Sequence, residues 1–141
     1  MSRAAIYDSL IADPDLNSLG LVEDTIEVNW NNDERPSSTG VFAILRWGPQ
    51  GAPLFGGDVK APESLAIWVH IPRELNGSDY GPLIKALDQF DETLSDLRDV
   101  AGQDGYTLSF VRVGDRSGDL VDDGFNTITK WANYQVYSRK S

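Results

Sequence analysis

An acidic segment in the last quarter of the chain has the residue types and spacing closest to those of a metal site. Its carboxylates are Asp115, Asp119, Asp122 and Asp123. With Ser117, the first two follow the one-three-five spacing of a calcium-binding loop. Leu120, however, occupies the position where an EF-hand loop requires glycine, and Asn126 occupies that of its bidentate glutamate. We therefore expect a solvated turn here and predict that the protein binds neither a metal nor a cofactor.

A second acidic group follows helical spacing. It consists of Asp88, Glu92, Asp96 and Asp99, which would share the polar face of one predicted helix. Like charges at this spacing destabilise a helix by about 0.2–0.5 kcal/mol per pair, and most such faces are simply solvated. If subunits form a ring, either this group or the segment 115–123 would line a negatively charged lumen.

His70 is the only histidine, and it lies in an apolar segment of a chain that has no cysteine. Neither a catalytic triad nor a zinc site can therefore be assembled around it. The glycine-rich stretch 48–57 is not followed by the Gly-Lys-Ser/Thr of a phosphate-binding loop. We predict that His70 is a satisfied histidine of the core or of an interface, that there are no catalytic residues, and that the protein is not an enzyme.

The chain has 141 residues and a net charge of −10, from 22 acidic and 12 basic residues. This length predicts a single domain over residues 1–141. Because duplex DNA is densely negative, such an acidic protein should not bind DNA tightly. The charge either provides solubility or marks a surface that lies close to DNA without sticking to it. No apolar run approaches the roughly 20 residues of a membrane helix, so we expect no membrane partner.

One long helix organises the predicted fold. From Asp79 to Gly102, apolar residues recur in steps of three and four, which predicts a helix over about 79–101. A short N-terminal helix is predicted over residues 2–12. The fold class is then α+β, with a mostly antiparallel sheet of four to five strands packed on the long helix. The strand patterns lie at 26–30, 41–47, 65–71, 106–113 and 125–137.

Two features predict contacts with partner proteins. The segment 48–62 is rich in glycine and proline and carries Leu54 and Phe55, which either form an exposed docking arm or fold back and become buried. The last predicted strand, 125–137, is longer than the five or six residues that are typical, so it would project past the domain. The candidate residues for an interface with another subunit or another protein are Leu54, Phe55, Trp131 and Tyr134.

Several stretches of the chain together resemble a known family. The first is Arg35-Pro36 followed by Val41–Gly48. The others are 104–108, 118–120, 122–125, 127–129 and 132–134. With the order of the elements, they resemble the tail terminator proteins of long-tailed (siphovirus-type) phages, in particular those of phages that infect actinobacteria. The resemblance covers most of the chain, and its motifs are structural rather than catalytic.

This resemblance implies an α+β subunit of a hexameric ring. In the family, the ring sits on the last ring of the tail tube, stops further tube polymerisation and offers a docking surface to the head-side connector. The implied partners are further copies of this chain, the tail tube protein, the connector protein, and duplex DNA that passes through the lumen without tight binding. The implied location is the head-proximal end of the tail in the virion, after synthesis in the host cytoplasm.

Two other functions remain open from the sequence. One is a different head–tail connector or tail-tube subunit, which would share much of the same architecture. The other is of a different class: a monomeric binding module or small enzyme that uses the acidic segment 115–123 to bind a ligand or calcium. A calcium titration separates this last class from the others, because a ligand that binds only the native state raises the melting temperature.

Overall fold

A computed structural model of the chain describes residues 3–30, 34–50, 62–102 and 105–140. Helices and strands alternate irregularly along these residues. The helices are α1 (Arg3–Ile11), α2 (Pro14–Ser18), α3 (Arg73–Asn76) and α4 (Gly81–Ser95). The strands are β1 (Ile26–Val28), β2 (Phe42–Gln50), β3 (Glu63–Pro72), β4 (Arg98–Ala101), β5 (Tyr106–Arg116), β6 (Leu120–Asp122) and β7 (Thr127–Lys140). None of the described helices is long and apolar enough to span a membrane.

The strands form one sheet in the order β1-β2-β3-β7-β5-β4, and β6 pairs with the first part of β7. Only β1 and β2 pair in parallel; every other pair is antiparallel. The α+β class with a mostly antiparallel sheet is thereby confirmed. The described sheet has seven strands rather than four to five, because β4 and β6 are short strands that the apolar pattern does not reveal.

The main core lies between one face of this sheet and the helices α1, α2 and α4. On β3, Leu65, Ile67 and Val69 alternate with less buried residues and point into this core, as expected for a strand with one face packed on helices. Helix α4 buries one stripe of its surface against them, formed by Leu83, Ala86, Leu87, Phe90 and Leu94. We call this side of the sheet the inner face and the opposite side the outer sheet face.

The long helix is shorter than the sequence pattern predicts. Helix α4 ends at Ser95, with Asp96 as its C-cap, and the chain then turns into β4. Asp99 has a φ of +53°, which no α-helix accommodates. Beyond it, Val100 pairs with Leu108 of β5. The helical spacing of apolar residues continues through 97 and 101, but there those residues serve a turn and an edge strand.

The last strand is even longer than predicted, with 14 residues from Thr127 to Lys140. It does not project past the sheet. Its residues 127–136 pair with β3, and the stretch from Ala132 to Lys140 pairs with β5. The predicted overhang is therefore wrong, because β3, β5 and β6 are offset along β7, so that every part of β7 pairs with at least one of them.

Candidate assembly surface

The outer sheet face is divided into a covered half and an open half. Alternation along the paired strands settles which side chains reach this face, since cross-strand partners point to the same side. The covered half is formed by Phe42, Ile44 and His70. The open half is formed by Trp68, Trp131, Phe110, Tyr137 and Arg112.

Phe125, a residue of the same chain, covers this half of the face. Phe42 and His70 stack with ring centroids 4.9 Å apart. Phe125 packs edge-on against both rings, at 5.7 Å and 5.4 Å. The turn that carries Phe125 is held by the Asp122 carboxylate, which accepts a hydrogen bond of 3.0 Å from the Phe125 backbone N–H. Next to this cover lies a pocket of about 150 Å³, lined partly by Trp68 and His70.

His70 is the satisfied core histidine that the sequence predicts. It is 2% exposed, and its Nδ1 lies 2.8 Å from the Thr127 hydroxyl. Burial lowers the pKa of His70 to about 4; nearby Asp122 opposes this shift and Arg46 adds to it. The imidazole is therefore neutral at pH 7.

The open half presents aromatic side chains that no described residue covers completely. Trp68 and Trp131 lie beside each other with ring centroids 6.3 Å apart. Phe110 and Tyr137 stack at 4.5 Å, and Phe110 is 40% exposed. Trp131 is half-buried and its backbone is tied to the β5–β6 connection, since its N–H donates to the Ser117 hydroxyl at 3.0 Å. Aromatic residues are enriched in protein–protein interfaces, so this half can serve for docking.

Tyr134 does not belong to this surface. It points to the inner face, is completely buried, and donates a 2.6 Å hydrogen bond from its hydroxyl to Asp91 of α4. Arg116 of β5 contacts the same Asp91 at 2.6 Å and also Asp88 at 2.8 Å. Burial and the Asp91 carboxylate hold the pKa of Tyr134 well above its usual range. The interface prediction for Tyr134 is wrong, because this side chain ties α4 to the sheet.

The other three predicted interface residues have different outcomes. Trp131 lies on the open half of the outer sheet face, as described above. Leu54 and Phe55 lie outside the described residues, and whether they form a docking arm stays a prediction.

The eight acidic residues proposed for a lumen lie on several elements and face different partners. Three of them pair with cations: Asp88 with Arg116, Asp99 with Arg139, and Asp119 with Lys130. Asp115 accepts a hydrogen bond from Asn133, and Asp122 holds the turn before Phe125. Asp99 lies in β4 and not on the α4 face, since the helix ends at Ser95. The side chains of Glu92, Asp96 and Asp123 form no hydrogen bond or ion pair with any described residue.

The calcium-like spacing at 115–119 does not bring a group of metal ligands together in the structure. Within the described residues, no cluster of three or more histidine, cysteine, aspartate or glutamate side chains could hold a metal ion. The Asp119 carboxylate instead contacts the Lys130 ammonium at 2.9 Å. The Lys130 side chain points to the inner face. Its aliphatic part is buried, and its ammonium group reaches the β5–β6 connection.

Comparisons with known proteins identify the fold but not a family. No family model matches the sequence, and no curated protein matches it. Among solved structures, the chain is similar to a chain in the "Virion of native gene transfer agent (GTA) particle", with a TM-score of 0.68 and 16% sequence identity. The match covers 96% of this chain and 92% of that chain. At this identity, the likeness shows a shared fold.

Sequence reasoning missed two residues that matter on the outer sheet face. Arg46 and Arg112 are far apart in the sequence, but the order β2-β3-β7-β5 places both on this face. Gln135 is the cross-strand partner of Arg112. Strand alternation alone could have shown that Gln135 and Trp131 share a face; the pairing of β5 with β7 was needed to add Arg112.

Proposed function

We propose that the protein is a structural virion protein, and that it acts as a phage tail terminator. It forms a hexameric ring on the end of the tail tube, stops tube polymerisation and provides the joining surface for the head-side connector. The observation that carries this proposal is a fold likeness over nearly the whole of both chains to a component of a gene transfer agent virion. The sequence resemblance to tail terminators supports the finer assignment.

Two features of the fold suit a subunit that is completed by assembly. Among the described strands, β1 pairs only with β2 and β4 pairs only with β5, so both edges of the sheet remain open. Open edges invite pairing with other chains unless they are covered. The open half of the outer sheet face adds an aromatic surface next to them. Contacts between copies in a closed ring would cover such surfaces.

The charge of the chain supports a surface that DNA can slide past. A net charge of −10 opposes tight binding to DNA phosphates. Ion pairs with Arg116, Arg139 and Lys130 reduce the contribution of three of the candidate acids to any lumen potential. We also propose that the protein has no enzymatic activity and that its place is the head-proximal end of the tail.

Electron microscopy of capped tubes tests this function directly. Purified protein is imaged by negative stain over a concentration series, alone and with tailed particles arrested before head joining. We expect rings with a central hole or caps on tube ends, and capped tubes that no longer accept added tube subunits. Compact monomers that never cap a tube would contradict the proposal.

The second candidate is another head–tail connector or a tail-tube subunit. It is favoured by the description of the similar structure, which refers to the whole virion and not to a particular component. The same assay distinguishes the two. Caps that block tube growth indicate a terminator, whereas protein that joins the tube and permits further growth indicates a tube subunit.

A further inference from the structure

We propose that the open half of the outer sheet face in one copy docks against the exposed acidic face of α4 in the next copy. This inference rests on the proposed function, because it assumes a subunit that assembles with itself. It specifies the two surfaces that meet and the charged residues that determine how these surfaces align.

The first surface carries arginines that no described carboxylate neutralises. Arg112 is exposed on β5, and its guanidinium forms no hydrogen bond or ion pair with any described residue. Arg46 is exposed on β2, and its guanidinium donates to the backbone carbonyl of Trp30 at 2.8 Å. Other basic side chains of this acidic protein, such as Arg116 and Lys130, have carboxylate partners. These two guanidinium groups thus form no ion pair on the outer sheet face, although the carboxylates of Asp115 and Asp122 also lie at this face.

The aromatic residues around these arginines suit a protein partner. The pairs Trp68–Trp131 and Phe110–Tyr137 lie on the same face as Arg112. Tryptophan, tyrosine and arginine are the residues that most often dominate the binding energy of interfaces. A partner with carboxylates beside a small apolar patch would complement this combination.

The solvent-facing side of α4 has these properties. Ile84 is 42% exposed there, and Asp88, Glu92 and Asp96 follow it in steps of four along the same side. Asp88 forms an ion pair with Arg116, whereas the carboxylates of Glu92 and Asp96 pair with no described residue. Lys85 is the one basic residue exposed on α4, so this surface remains negative.

The two surfaces cannot meet within one copy. Helix α4 packs on the inner face of the sheet and turns its acidic side to solvent, so the acidic side and the outer sheet face lie on opposite sides of the molecule. A contact between them must join two copies through different surfaces. Repetition of such a heterologous contact closes into a ring or continues as an open stack. The proposed hexamer corresponds to the closed ring.

This arrangement also divides the candidate lumen residues. Glu92 and Asp96 would lie at contacts between subunits, where the arginines of the neighbour offset their charge. The negative charge of a lumen would then have to come from elsewhere, and the segment 115–123 is the other acidic group of the chain.

Charge reversal on both surfaces tests the contact. The variants are Arg112→Glu, Glu92→Arg and the double variant, with assembly measured by sedimentation velocity and by the fraction of tail tubes capped. Each single reversal should weaken assembly about tenfold or more, because like charges are then opposed across the contact. The double variant restores opposite charges and should recover most of the loss.

Controls separate this effect from misfolding and from net charge. Lys140→Glu and Asp8→Arg make the same charge changes at exposed residues outside the two surfaces and should assemble like the wild type. Arg112→Gln removes the charge without reversing it and should give a smaller loss than Arg112→Glu. Far-ultraviolet circular dichroism and thermal melting of every variant should match the wild type.

The outcomes distinguish this inference from the proposed function. If the wild-type protein caps tubes but the single reversals cap them equally well, or the double variant is no better than the single ones, the inference is overturned and the terminator role stands. If the wild-type protein never self-associates or caps a tube, both are overturned. Loss in each single variant with recovery in the double variant supports the contact.

Discussion

The covered and open halves of the outer sheet face carry similar aromatic side chains but differ in what lies over them. Phe42 and His70 are closed off by Phe125 from a nearby turn. Trp68 and Trp131 have one another as ring partners and remain half-buried. Aromatic residues cost free energy when they stay in water. The chain therefore completes one half by itself, whereas no described residue covers the other half completely, and the proposed contact between copies would cover it.

The largest expected difference between the halves is in stability. Phe42 is completely buried, so Phe42→Ala should lower the free energy of unfolding by about 3–5 kcal/mol, which combines lost burial with the cavity left behind. Urea denaturation measures this value. The matched change on the open half, Trp131→Ala, should cost much less in the isolated protein. Equal losses at the two positions would contradict the division of the face.

Acid should destabilise the covered half through His70. Its pKa is lowered from 6.5 to about 4, so between these values the unfolded state binds more protons than the folded state. The stabilising contribution of neutral His70 is complete above about pH 6.5 and falls as the pH decreases toward 4, by about 3 kcal/mol at most.

Melting temperatures from pH 7 to pH 4.5 provide the measurement for His70. His70→Gln should be less stable than the wild type at pH 7, and its melting temperature should depend less on pH. If the two proteins lose stability in parallel over this range, His70 does not titrate as described.

Tyr134 contrasts with Trp131 and Tyr137 of the open half. All three residues lie on β7, but the Tyr134 side chain points to the inner face. Tyr134→Phe removes the hydrogen bond to the Asp91 carboxylate, and such a bond to a charged group contributes about 1.5–3 kcal/mol. Tyr137→Phe is the control on the outer sheet face, where no described partner of its hydroxyl is lost. Chemical denaturation should show a loss for the first variant and almost none for the second.

The smallest effect on stability is expected at Trp131 itself. Trp131→Ala should change the unfolding free energy of the isolated protein by only about 1 kcal/mol, which is typical of half-exposed positions. Its effect should appear in assembly, measured as the fraction of tail tubes capped, because large aromatic residues dominate many interfaces. Normal capping by this variant would remove Trp131 from the contact.

Sequence patterns identified most elements but not how they pair. The apolar run 65–71 and the alternating segment 125–137 predicted strands that the structure has at Glu63–Pro72 and Thr127–Lys140. The helical period past Ser95 gave a wrong end for α4. Local periodicity describes which residues are apolar, but it does not distinguish a further helical turn from the turn at Asp99, with its positive φ, and the hairpin of β4 and β5 that follows.

The candidate site was predictable only in part, for the same reason. Alternation already put Trp131 and Tyr134 on opposite faces of one strand, but it did not show which face the helices cover. The structure shows that Tyr134 meets Asp91 of α4 and that Trp131 meets Trp68. A single strand pattern has two equivalent sides, and only packing against a second layer makes them different.

The sequence by itself determined the α+β class, the negative charge and the alternation of each long strand, because these follow from residue types and their spacing. Tertiary structure alone decided the strand order that places Arg46 and Arg112 on one face, the cover of His70 by Phe125, and the cation partners of Asp88 and Asp99. Each of these depends on residues far apart in the chain, and no local pattern records which distant segments will meet.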